Sequence, residues 1–110
     1  MERIKRHLYP GDSHIMLEEK VRPHIEVVDT NLDDGEVVLL HLESKTYYSL
    51  NATGERIWRG LKEGLSLNEI SRRLQEEFEV NEEEADRSVR DLVEELCEQK
   101  LALRSNPESS

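Results

Sequence analysis

Between Leu50 and Asn51 the spacing of apolar residues changes, and that switch constrains the fold more than any other feature. Upstream lie three short runs rich in β-branched and aromatic residues: "HIEVVDT" (His24 to Thr30), "EVVLLHLE" (Glu36 to Glu43) and "TYYSL" (Thr46 to Leu50). They are separated by "NLDDG" and "ESK", which read as turns. Connections this short join antiparallel neighbours, so the runs predict a three-stranded meander. The second run is the most apolar and belongs in the centre. Downstream, apolar residues recur at helical spacing. Asn51 caps a helix over "ATGERIWRGLKEG" with Ile57, Trp58 and Leu61 inward and Gly64 at its end. Ser66 and Glu69 have capping-box spacing before a stripe of Leu67, Ile70, Leu74 and Phe78. Asn81 opens a third helix with Ala85, Val89, Leu92 and Leu96 on one face. The order is β-β-β-α-α-α, an α+β fold in which helices cover one face of a small antiparallel sheet.

The 110 residues suit one domain. We place it at residues 24–104. Met1 to Pro23 shows no sustained period and reads as a flexible or partner-dependent arm, the alternative being that it packs on its own domain. Within it, "SHIMLEEKV" allows one or two helical turns. Residues 105–110, "SNPESS", read as a disordered tail. No run is long and apolar enough to cross a membrane, and no apolar stretch follows the first basic residues, so the expected location is cytoplasmic. A single cysteine, Cys97, precludes an internal disulfide.

The net charge is −10. From His24 to Ser110 there are 10 Lys and Arg against 21 Asp and Glu. Three helices beside a small sheet match a winged helix, but the third helix, rich in glutamate, would repel phosphates. Nucleic acid is therefore not an expected partner, and a winged-helix DNA-binding protein is the weakest alternative. Enzymatic signals are missing as well. There is no glycine-rich phosphate loop, and His7, His14, His24 and His41 are scattered without metal-ligand spacing. "ELCEQ" surrounds Cys97 with acids that hold a thiol protonated. The acidic run "NEEEAD" lacks the alternating ligands of a calcium loop and reads as a solvated helix start. No catalytic residue, metal or cofactor is expected.

A 1-2-3 meander leaves its third strand at an edge, with main-chain donors and acceptors open. "TYYSL" carries neither the charge nor the proline that usually blunts such an edge. An extended peptide can add there as a fourth strand, bonded to Thr46, Tyr47, Tyr48, Ser49 and Leu50. Period-2 alternation puts Tyr48 on the side of Leu50, with Tyr47 and Ser49 opposite. The third helix is the natural second wall of a groove. One step around from its core stripe lie Asp86, Arg90, Val93 and Cys97, the candidate lining, although Val93 and Cys97 equally fit a wider core stripe. The same edge pairing with a second copy would make a homodimeric scaffold instead.

At "VVLLHLESKTYYSLNATGERIW", "LSLNEISRRLQEEFEVN" and "VRDLVEELCEQKLAL" the chain resembles the PqqD-like family, the recognition elements for ribosomally made, post-translationally modified peptides. The resemblance implies a winged-helix-like fold and a non-catalytic role. It implies capture of the leader segment of a precursor peptide beside the third strand and against the third helix. It also implies presentation to a modifying enzyme, such as a radical SAM protein in pyrroloquinoline quinone synthesis or a leader protease in lasso-peptide pathways. Two positions depart from the family's pattern. Ser88 stands where an Asp is frequent, and Lys100 where a Gly precedes the final leucine.

Overall fold

The computed structural model describes Leu17, residues 19–32 and residues 36–104. Its elements are β1 (Val21–Pro23), β2 (Val27–Asn31), β3 (Val37–His41), β4 (Tyr47–Leu50), α1 (Ala52–Glu63), α2 (Leu67–Phe78), α3 (Glu82–Glu98) and β5 (Ala102–Arg104). The expected sheet and helices are present, with strands β2-β3-β4 in that order and antiparallel throughout. The helical turns allowed at "SHIM", the turn residues Asp33 to Gly35 and the tail from Ser105 lie outside the described residues.

Alternation sorts the sheet into two faces. Val37, Leu39 and His41 of β3 and Leu50 of β4 are buried on the helix side. There they meet Ile57, Trp58 and Leu61 of α1 and, beyond them, Leu67, Ile70 and Leu74 of α2 and Ala85, Val89, Val93 and Leu96 of α3. The opposite face carries Val28, Leu40 and Tyr47 in one cross-strand row, with Val28 and Tyr47 exposed. The three N-caps predicted from the sequence all form. Asn51 accepts from Gly54 N–H, Ser66 and Glu69 make the reciprocal capping box, and Asn81 accepts from Glu84 N–H.

Two differences concern the ends. The strand expected from His24, β2, begins at Val27, because His24 to Glu26 form a turn closed by Val27 N–H donating to the His24 carbonyl at 3.1 Å. The last residues of the arm also join the fold. Val21–Pro23 pairs antiparallel with Ala102–Arg104, and Val21, Leu101 and Ala102 are all in the core. Glu19 and Arg104 clamp this pair at 2.6 Å, while the carbonyls of Glu19 and Leu17 accept from Leu67 and Asn68 at the start of α2.

Candidate peptide-binding edge

The backbone of β4 comes first, since any added strand must bond to it. His41 N–H donates to the Thr46 carbonyl at 2.8 Å, which marks that pair as hydrogen-bonded. In an antiparallel ladder such pairs alternate. The register Leu39↔Tyr48 and Val37↔Leu50 therefore spends the main-chain groups of Tyr48 and Leu50 on β3. Those of Tyr47 and Ser49 point the other way, along the edge of a strand that pairs only with β3 among the described residues. The turn that launches β4 is held by His41. Buried at 4 % exposure, its Nδ1 accepts from the N–H groups of Glu43 and Ser44 at 3.2 and 3.3 Å. Lys45 closes the turn with φ 64°.

The side chains of β4 follow the predicted alternation. Tyr47 is 71 % exposed and Ser49 is exposed, whereas Leu50 is buried and Tyr48 is half-buried against the core. The Tyr48 hydroxyl donates to Glu95 Oε1 of α3 at 2.7 Å, bridging strand and helix. Between them runs a groove of about 530 Å³. Leu50, Gly54, Ile57 and Leu92 supply its apolar lining, and Ser88, Asp91 and Glu95 line its α3 side.

This α3 lining differs from the stripe expected from the sequence. Val93 is fully buried, and the Ser71 hydroxyl on α2 donates to Asp86. Cys97 packs against the core, with Arg104 and Glu19 acting on its thiol, and Arg90 is exposed. At about 100° per residue, Asp86, Arg90, Val93 and Cys97 flank one side of the core stripe and Ser88, Asp91, Leu92 and Glu95 the other. Periodicity locates the stripe but not which of its flanks faces β4. Ser88, a departure from the family pattern, lies on the flank that lines this groove.

Burial pushes the Cys97 thiol up to about 11; Glu19, Glu94 and Glu98 add to the shift, and Arg104 opposes it. Among the described residues no group of three or more His, Cys, Asp or Glu side chains is arranged to hold a metal, and no helix is long and apolar enough to cross a membrane. A second cavity, about 310 Å³ between α1 and α2, contains Arg56, Arg59 and Arg73. There Arg56 pairs with Glu77 at 2.9 Å and Arg73 with Glu63 at 3.2 Å.

Residues 36–102, from the residue before β3 to the first residue of β5, match the family profile of Coenzyme PQQ synthesis protein D (PqqD). The chain belongs to the PqqD-like family. Two solved structures agree with this PqqD-like assignment. One, "TbiB1 in Complex with the TbiA(beta) Leader Peptide", is 38 % identical and superposes with a TM-score of 0.68 over 74 % of this chain and 93 % of that one. The other, "Lasso peptide synthetase B1 complexed with the leader peptide", is 33 % identical, with a TM-score of 0.70 over 76 % and 98 %. No curated protein sequence matches the chain. Members of the PqqD-like family are non-catalytic peptide-binding proteins.

Proposed function

We propose that this PqqD-like protein captures the leader segment of a ribosomal precursor peptide as a strand added to β4, and presents it to a modifying enzyme such as a radical SAM protein or a leader protease. The observation that carries the reading is the outward main chain of Tyr47 and Ser49 at an unblunted edge, directly beside a groove that can take side chains. Both similar structures are complexes with leader peptides, which supports the same role here. In this reading Thr46 to Leu50 supply the edge, and the α3 wall is Ser88, Asp91, Leu92 and Glu95. The Asp86, Arg90, Val93 and Cys97 stripe plays no part.

Proline tests this at one atom. Ser49→Pro removes an outward donor while leaving the inward bonds of Tyr48 and Leu50 to β3. Tyr48→Pro would instead break the β3–β4 ladder and confuse misfolding with lost binding. Polarisation of a labelled leader, taken from a precursor encoded beside the gene, should show micromolar binding, roughly 8 kcal/mol. Ser49→Pro should weaken it at least about tenfold with an unchanged circular dichroism spectrum. No saturable binding by the folded protein, or equal binding by the proline variant, overturns strand addition at this edge.

A further inference from the structure

Among the described residues, the carboxylates of Asp91 and Glu95 line the α3 side of the groove beside β4, and no lysine, arginine or histidine lines it. Elsewhere in the fold many carboxylates have a cation at hand. Glu55 pairs with Arg59, Glu77 with Arg56, Glu63 with Arg73, Glu19 with Arg104 and Asp29 with Lys62. Asp91 and Glu95 stand one turn apart on α3, a spacing at which like charges repel. The Tyr48 hydroxyl fixes Glu95 beside the edge strand, but a neutral donor leaves its charge in place. The carboxylates do not make the site; the open edge and the groove do. What they set is the charge of its occupant.

We propose that the captured segment carries a lysine or arginine whose side chain points into the groove between Asp91 and Glu95. In an added strand only every second side chain faces inward. The next inward position, two residues away, meets Leu50, Ile57 and Leu92 and is aliphatic or aromatic. The guest is thus a strand with a cation and an apolar residue separated by one position. This inference rests on the peptide-capture reading above and names the class of peptide that fits it.

A phage-displayed random-peptide library separates the two claims. It is panned against the wild-type protein, Ser49→Pro, the double variant Asp91→Asn/Glu95→Gln, and the control Glu82→Gln/Glu83→Gln at the exposed start of α3. The amide oxygen introduced by Glu95→Gln still accepts from Tyr48, so the strand–helix bridge is kept. Wild type and the control should enrich peptides with Lys or Arg two positions from an apolar residue. The Asp91/Glu95 variant should keep the apolar preference and lose the basic one. A wild-type-selected peptide should then bind that variant more weakly, by roughly two- to fivefold for each carboxylate neutralised. Replacing its cation by norleucine should abolish the difference. Edge-dependent enrichment without a basic bias, or with the same bias in the Asp91/Glu95 variant, overturns this inference and leaves peptide capture standing. Loss of the bias in the Glu82/Glu83 control equally overturns it, since the attraction would then be to overall charge. No enrichment over Ser49→Pro removes both claims.

Discussion

Trp58 Nε1–H and Lys62 Nζ both donate to Oδ2 of Asp29 at 2.8 Å, tying α1 to β2. The lysine bond first, and the indole bond second, hold the Asp29 carboxyl below its ordinary 3.8, while burial opposes them. A carboxylate depressed in the folded state contributes stability that is present above 3.8 and lost as pH falls through the lower folded value. Asp29→Asn should therefore lower stability at pH 7 and flatten its loss at acid pH below about 3.8, as read by urea denaturation across that range. The sequence marks Trp58 as a core residue, and it is buried. Its polar partner was not legible, because an indole N–H that reaches across layers to a strand leaves no periodic trace.

At the scale of the element, α1 and α3 end in the same way. Leu65 N–H donates to the Gly60 carbonyl and Gly64 N–H to Leu61; at the other helix Leu101 N–H donates to Leu96 and Lys100 N–H to Cys97. Both are Schellman closures that require a left-handed residue. Gly64 supplies it at φ 82°, whereas Lys100 adopts φ 62° with a side chain in the way. Lys100 thus takes at the end of α3 the left-handed place that Gly64 takes at the end of α1, at a steric cost. Lys100→Gly should raise stability by about 1 kcal/mol, the left-handed penalty less the added chain entropy, measured as a shift in denaturation midpoint. The N-caps were fully readable from Asn51, Ser66 and Asn81, since a cap is a local pattern of a few residues. The flank of α3 that faces β4 was not, since rotation about a helix axis is fixed by packing and not by its own period.

For the whole molecule, the decisive contact is between the two ends. β1 and β5 are each three residues long and contribute Val21 and Ala102 to the core. Strands this short carry no period, and the two lie far apart in the sequence, so the sequence reads one as the end of an arm and "KLAL" as the last residues of the third helix, which ends instead at Glu98. Val21→Ala should cost about 2 kcal/mol by chemical denaturation, as a truncated core side chain does, whereas a loose arm would cost nothing. A further consequence concerns attachment. Because Val21 lies opposite Arg104, the domain begins and finishes at one doorway. Whatever leads directly into Val21 or directly out of Arg104 meets the domain at the same post. A tether that began at either of these two residues would therefore hold its cargo at nearly the same distance from β4.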